Sequence, residues 1–329
     1  MIKTAITEMF GIEYPVICGA MMWLCKPKLC AAISEAGGMG NITAGNYETE
    51  EDFRAAIREV RKITDKPFMI GLTLLPSIRI TAEHHKMYVR VCAEERVAGI
   101  EVSGSPLDKV IGQEGIDRLK QAAVRLFHME GSVRHDVHAE KVGYDGVYAA
   151  GFEEGGHPLD DDVTTMVLTP RIVDSVNIPV VTVGGISDGR SLAAALTLGA
   201  QGVMMASRFI ATRECDVHEN IKKELIDRQE FETTMFCKSL GLQGRALKNK
   251  VIGEVLEIEN KGGGLEQLIP LISGQRIKDA WEQGLVEDAP LMVGQSIGHI
   301  RDIVSCRDLL SKMHDDAISH LAKAMALVK

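Results

Sequence analysis

The chain reads as a closed (βα)8 barrel of the α/β class, followed by a mainly helical region. Short apolar, β-prone segments alternate with helical segments of about ten residues, and eight such strands fall between Pro15 and Ala206. Glycine-rich turns follow the last of these strands, at the end where α/β proteins bind their ligands. A doubly wound open sheet shares the local alternation. The count of eight and the placement of the glycines favour the barrel, over residues 1–213, with residues 214–329 outside it.

The elements follow in order. Pro15 to Cys18 is a short apolar strand, followed by Gly19-Ala20-Met21-Met22 and a helical stretch from Pro27 to Ala36. The second strand lies within Gly38 to Thr43 and its helix spans Glu50 to Ile63; the third runs from Phe68 to Leu75, with a helix from Glu83 to Glu95. Gly99 to Ser103 and Leu107 to Ile116 form the fourth unit, Ala123 to Met129 and Ser132 to Val142 the fifth. Asp145 to Ala150 is the sixth strand, with Thr165 to Val176 as its helix. Pro179 to Val183 with Arg190 to Leu198, and then Gly202 to Ala206, complete the set. Beyond residue 210 the rhythm stops, and Lys261-Gly262-Gly263-Gly264, Ser273-Gly274 and Gly294 punctuate helical segments.

Composition narrows the function. With 329 residues, 45% of them hydrophobic, the chain can bury a full core, and its net charge of −9 argues against a nucleic-acid or anionic membrane surface. That field also disfavours highly charged anionic ligands unless local groups overcome it. The seven cysteines are scattered and no apolar run is long enough to span a bilayer, which together suit a reduced, cytoplasmic protein. Cys18, Cys25 and Cys30 lack a CxxC repeat and read as small core residues, so no metal site is expected. His84-His85, and His135 with His138, lie on charge-rich helical stretches and read as solvated faces.

Three turns carry the chemistry. Gly151-Phe152-Glu153-Glu154-Gly155-Gly156-His157 follows strand six, placing one histidine just beyond a buried strand. Imidazole changes charge near neutral pH, which suits proton transfer. Gly184-Gly185-Ile186-Ser187-Asp188 follows strand seven, and its glycines let backbone approach a ligand while Ser187 or Asp188 caps the next helix. After strand eight, Met205-Ala206-Ser207 offers backbone N–H groups and a hydroxyl to an anion. In barrels the loops after strands seven and eight commonly hold a phosphate, so a phosphorylated ligand or cofactor is expected. His128, ending strand five, is the second histidine to test.

With these residues in view, the chain resembles the flavin-dependent nitronate monooxygenase family, once called 2-nitropropane dioxygenases, which also contains flavin-dependent enoyl-acyl-carrier-protein reductases. The matches are collinear: Tyr14-Pro15-Val16-Ile17 with Ala20-Met21-Met22, Ala36-Gly37-Gly38-Met39-Gly40, Gly131-Ser132-Val133, Glu154-Gly155-Gly156-His157, Gly184 to Gly189, Gly199 to Val203 and Ser207-Arg208-Phe209. The resemblance implies a barrel holding FMN, with its phosphate on Gly184, Gly185, Ile186, Met205, Ala206 and Ser207 and with His157 catalytic beside the ring. It also implies contacts from Ala20, Met21 and Met22, from Gly71 on strand three, from Gly151, Gly155 and Gly156, and from Gln295 in a returning segment, Pro290 to Gln295. Met204 and Met205 flank the same loops and could pack on the ring.

Met22-Trp23, Val163 to Met166 and Arg245-Ala246-Leu247-Lys248-Asn249 resemble the reductase branch. Three features depart from the pattern. Gly71 stands where an Asn or Gln often contacts the flavin, Ala206-Ser207 replaces Gly-Thr, and Asp160-Asp161-Asp162 would repel an anionic carrier if it lined the entrance. The favoured reading is reduction of an enoyl-type double bond by NADH or NADPH through FMN, with His157 as acid or polariser. Nitronate oxidation with O2, NAD(P)H:quinone reduction and non-catalytic flavin binding are the alternatives. The substrate is accordingly a small molecule, an enoyl thioester, a nitronate or a quinone. By the same resemblance, residues 214–300 form a helical cap over the substrate region. Residues 301–329 form a helix whose apolar stripe packs on the barrel or on the second subunit of a homodimer.

Overall fold

A computed structural model describes residues 2–328 other than Pro76, Ile78 and Asp160. Eight parallel strands, β1 Val16–Cys18, β2 Gly40–Thr43, β3 Phe68–Leu74, β4 Gly99–Gly104, β5 Arg125–Glu130, β6 Gly146–Ala150, β7 Val180–Val183 and β8 Gly202–Met205, form one sheet. Neighbours pair in chain order from β2 to β8, and β8 pairs β1 with Ile17 opposite Met204. A parallel bridge between Ile17 and Met39 closes the ring; Met39 N–H donates to the Val16 carbonyl and Cys18 N–H to that of Met39, each at 2.9 Å. The closed TIM barrel expected from the sequence is present, and the open sheet is excluded.

The intervening helices are α2 Pro27–Glu35, α3 Glu50–Ile63, α4 Ala82–Glu94, α5 Asp108–Gln121, α6 Val133–Val142, α7 Thr165–Val173 and α8 Gly189–Thr197, preceded by α1 Ala5–Phe10. Their starts follow local chemistry: Thr49 caps α3 by accepting from Asp52 N–H, and Asp188 caps α8 by accepting from the N–H groups of Arg190 and Ser191. Helix α1 was not foreseen. It is six residues long, too short for a periodic signal, and its Ile6 and Phe10 join Ile17, Met39, Met69, Phe127, Tyr148 and Val181 in one buried cluster. The side chains of α1 thus plug the N-terminal end of the barrel and leave the opposite end to the ligand loops.

After β8 come α9 Ser207–Ile210, α10 Glu219–Asp227, α11 Lys250–Asn260, α12 Leu265–Ile272, α13 Gly274–Gln283 and α14 Cys306–Met325. The region is mainly helical, but it also carries an antiparallel hairpin, β9 Thr233–Phe236 and β10 Gly244–Leu247. Four-residue strands leave little alternation to read. Phe236, Ala246, Val251, Ile252, Val255 and Leu268 form a small core of their own, whereas Trp281, Leu291, Val293 and Leu309 belong to the same cluster as Val16, Leu29 and Leu192 of the barrel.

The last helix packs on α8 and α2 of its own barrel, burying Leu309, Leu310, Met313 and Ala317. Contact is closest at Gly189, where a Cβ would lie 2.5 Å from the Asp316 Cβ and 2.5 Å from the Met313 carbonyl oxygen. Gly189→Ala should therefore push α14 off α8 and cost about 1–3 kcal/mol. Thermal unfolding of the purified variant checks this, and an unchanged midpoint would show that the two helices yield freely.

Candidate active site

The loops at the C-terminal ends of the strands enclose two adjoining spaces. The first, about 70 Å³, is lined mostly by backbone and small side chains: Gly19 and Ala20 after β1, Gly155 after β6, Gly184 to Ile186 after β7, and Met205 to Ser207 after β8, with Gly294 and Ser296. Gly184 and Gly185 have φ of +93° and +72°, conformations that L side chains rarely adopt. A Cβ on Gly185 would meet nothing closer than Glu153 Cβ at 4.0 Å, so its missing side chain leaves the peptide open to the cavity. Two residues on in the chain, the Ser187 hydroxyl is buried without a partner. Glu153 also lines the space, but its carboxylate is occupied, accepting from the Thr165 N–H and hydroxyl at 2.9 Å each.

The second space, about 330 Å³, is apolar over most of its wall, with Met22, Leu72, Leu75, Ile80 and Tyr88, and carries Arg79, His85 and His157. Gly19 and Ala20 line the first space and Met22 the second, so the turn after β1 separates them. His157 is solvent-exposed and donates from Nδ1 to the Gln243 carbonyl at 2.8 Å. Since a carbonyl only accepts, the proton sits on Nδ1 and Nε2 is left to exchange protons. Gly156, at φ +95°, pairs with Arg245 of β10 through both backbone bonds, 3.2 Å and 2.7 Å. Two successive residues of the histidine loop are therefore held by the hairpin. Arg245 is locked in turn, its Nε donating to the Phe152 carbonyl at 3.2 Å and its guanidinium lying 4.3 Å over the Phe152 ring.

The segment Pro290 to Gln295 does return to the site. Gly294 N–H donates to Ser207 Oγ at 3.0 Å, Gln295 N–H donates to the Glu153 carbonyl at 2.9 Å, and a Cβ on Gly155 would strike Val293 and Gly294 backbone at 2.5–2.6 Å. Gln295 contributes its backbone at this point. Three other expected positions sit behind the walls. Met21 is buried in the core and donates its N–H to Cys25 Sγ at 3.3 Å. Gly151 admits Thr165, whose Oγ1 would be 2.1 Å from a Cβ there. Gly71 admits Ala20, whose Cβ occupies the place of a strand-three side chain, 2.3 Å from the Cβ that glycine lacks.

Two histidine expectations need correction. His128 lies on the outer face of β5, against the Tyr144 ring with centroids 5.4 Å apart, and its Nε2 meets the Gly104 carbonyl at 3.3 Å. The side chain at 127, not 128, faces the barrel interior, because alternate strand residues point to opposite faces. Burial pushes the His128 imidazole down to about 4, so it stays neutral. His85 is buried and lines the second space, while the neighbouring His84 caps α4. Asp162 is not a free repulsive charge, since Lys238 pairs with it at 3.0 Å; Asp160 lies outside the described residues. Among the described residues no group of histidine, cysteine and acidic side chains is arranged to hold a metal ion, and all seven cysteines are free and buried.

The family profile described as nitronate monooxygenase matches residues 3–316. The chain belongs to the nitronate monooxygenase family. It is therefore an enzyme, a flavin-dependent oxidoreductase acting on small molecules. A probable nitronate monooxygenase of Staphylococcus aureus (strain Newman) is 31% identical over 78% of this chain and 81% of its own. The (3aS,4S,5R,7aS)-5-hydroxy-7a-methyl-1-oxo-octahydro-1H-indene-4-carboxyl-CoA dehydrogenase of Rhodococcus jostii (strain RHA1) is 31% identical over 99% of each chain. Among solved structures, FabK from Thermotoga maritima superposes with a TM-score of 0.91 at 32% identity over the whole of both chains. Nitroalkane oxidase from Streptomyces ansochromogenes shares the fold, with a TM-score of 0.80 at 23% identity over 97% of this chain and all of its own. No helix of the described residues is long and apolar enough to cross a membrane.

Within the nitronate monooxygenase fold of this chain, two buried polar residues stand beneath the turn after β1. Asn41 Nδ2 donates to Glu101 Oε2 at 2.5 Å and to the Cys18 carbonyl at 3.1 Å; Ala20 N–H reaches Glu101 Oε1 at 3.5 Å. An acid at the centre of the apolar run Gly99-Ile100-Glu101-Val102 was the sequence signal for this pair, since carboxylates are almost never fully buried without a purpose. Burial raises the Glu101 carboxyl to about 7. An acid whose folded value is raised favours folding below its unfolded value and loses that contribution as pH rises. The unfolded chain ionises first, near pH 4.5, and the contribution is gone above about 7. Glu101→Gln should remove this slope. The stability difference between wild type and variant should change by on the order of 3 kcal/mol between about pH 4 and pH 8. Denaturant melts at both ends measure it, and parallel pH profiles would mean that Glu101 ionises freely.

Proposed function

We propose that this chain binds FMN and uses NADH or NADPH to reduce the activated double bond of an enoyl-type substrate. The observation that carries this reading is the pair of adjoining spaces, one glycine-walled and one apolar, separated by Gly19 to Met22 with His157 on the wall of the second. FabK, an enoyl reductase, matches the chain from end to end at 32% identity and a CoA dehydrogenase at 31%, whereas the nitroalkane oxidase structure is 23% identical. An apolar space of about 330 Å³ also suits a short acyl chain better than a small nitronate.

The residues fit the phosphate end of FMN. The open Gly185 peptide and the small side chains of Ala206 and Ser207 make a concave surface, with the Glu153 carboxylate already engaged. Ala20 and Met22 would flank the ring and Gly155 its other edge. Gly71, Gly151 and Met21 would act through the shape of the backbone in front of them. FMN, when bound, supplies the transfer of a hydride from the nicotinamide to the β-carbon of the substrate.

The protein supplies the proton. His157 in its imidazolium form carries the second proton on Nε2, donates it to the α-carbon or polarises the thioester carbonyl with it, and is left as the neutral Nδ1–H tautomer still bonded to Gln243. Being exposed, it is reprotonated from solvent. His157→Ala should keep its flavin and lose at least about tenfold in turnover; wild-type turnover in that variant would remove the histidine from the mechanism. The reaction itself is tested without oxygen, by reducing the protein with NADH or NADPH and then offering a crotonyl thioester, a quinone and a nitronate. Reoxidation by the thioester alone is expected. Failure of both nicotinamides to bleach the flavin, with bleaching by the nitronate, would replace this reading by nitronate oxidation.

A further inference from the structure

At the edge of the apolar space stands Trp23, with features that folding alone does not require. Its φ is +69°, in the left-handed region where a bulky side chain is a genuine outlier, and its N–H is held by Asn46 Oδ1 at 2.8 Å. The indole Nε1 is buried and has no partner. Two cations lie on the ring, the Arg79 guanidinium carbon 4.8 Å from its centroid and Lys278 Nζ 5.4 Å from it. Arg79 lines the apolar space, as does Gly274 at the start of α13, the helix that carries Lys278. Arg79 is fixed by Glu48 at 3.0 Å and by the Gly45 carbonyl at 2.6 Å, whereas Lys278 has no carboxylate partner among the described residues.

In a chain of net charge −9, an unneutralised lysine and a pinned arginine on one indole make a local positive rim around an apolar opening. We propose that Trp23, Arg79 and Lys278 hold the phosphate-bearing arm of a co-substrate whose reacting end enters the apolar space. The inference rests on the reduction reading above for the identity of that end. The chemistry required is a phosphate or pyrophosphate on a flexible arm, present both in a nicotinamide dinucleotide and in a coenzyme A-type thioester. Lys278 supplies the charge, Arg79 fixes the indole plane, and the free indole N–H is a donor facing no protein acceptor.

The flavin-loaded protein is titrated calorimetrically with coenzyme A and, separately, with NADH. We expect at least one to bind more weakly at about 0.3 M salt than at about 0.01 M. Lys278→Glu should raise the Kd of that probe at least tenfold with flavin content and melting temperature retained, and Lys278→Arg should restore most of the affinity. The probe that responds identifies the arm. In turnover, the preference in kcat/KM for crotonyl-coenzyme A over its phosphate-free N-acetylcysteamine thioester should shrink at least tenfold in Lys278→Glu if the thioester arm is the ligand. Wild-type affinity of Lys278→Glu for both probes, or binding of neither probe by the wild-type protein, overturns the proposal. Binding of coenzyme A through Lys278 without reduction of either thioester would overturn the reduction reading alone.

Discussion

The site depends on a backbone pairing between segments far apart in the chain, Gly156 with Arg245. Through it the hairpin of the C-terminal region becomes an extension of the loop after β6, and Gln243, one residue before β10, reaches the His157 ring. A loop tethered only at its ends would leave the imidazole in many orientations. Two main-chain bonds and one side-chain bond reduce these to one tautomer in one place. The positive φ of Gly156 is what lets the loop present its backbone edge to β10. The hairpin therefore contributes no chemistry of its own, yet the proton-transfer role proposed for His157 depends on it.

The barrel was legible because parallel strands covered on both faces must be apolar and short, and because helices between them keep a period near four. The three glycine turns were legible because they depart from that rhythm at one end of each strand. What stayed hidden was of another kind. Helix α1 and the hairpin are too short to show a period, and their placement is decided by distant partners, the barrel floor for Phe10 and Gly156 for Arg245. His128 was misplaced by a single residue of register, which in a strand exchanges the interior for the helix layer. The charge around His85 suggests a solvated face, but the helix turns it inward toward the apolar space.

Gly71 shows how a departure from a family pattern can be compensated nearby. Without a side chain on β3, Ala20 of the turn after β1 fills the volume, its Cβ 2.3 Å from where a Gly71 Cβ would stand. Asn41 on β2, paired beside β3, then supplies an amide close to where the strand-three residue would have stood, its Oδ1 3.1 Å from the missing Cβ. That oxygen has no partner, and Glu101 beside it is buried. A buried polar pair left partly unsatisfied costs stability, so its place directly beneath the turn after β1 argues for a function above it more than for a contribution to folding.

The charge distribution follows the same logic. The acidic surplus of the chain would by itself keep anions away, but several acids near the proposed site are engaged. Glu153 accepts from Thr165, Asp162 pairs with Lys238, Glu48 pairs with Arg79, and Glu101 is held largely protonated by burial at acid pH. Against these stand the open backbone of Gly185 on one side and Lys278 over Trp23 on the other. Local compensation of this sort outweighs net charge because fields from exposed acids fade within about 8–10 Å at moderate salt, whereas a peptide N–H or an ammonium group at contact distance does not depend on that range. The two ends of the proposed site are thus each suited to an anionic group in a protein that is acidic as a whole.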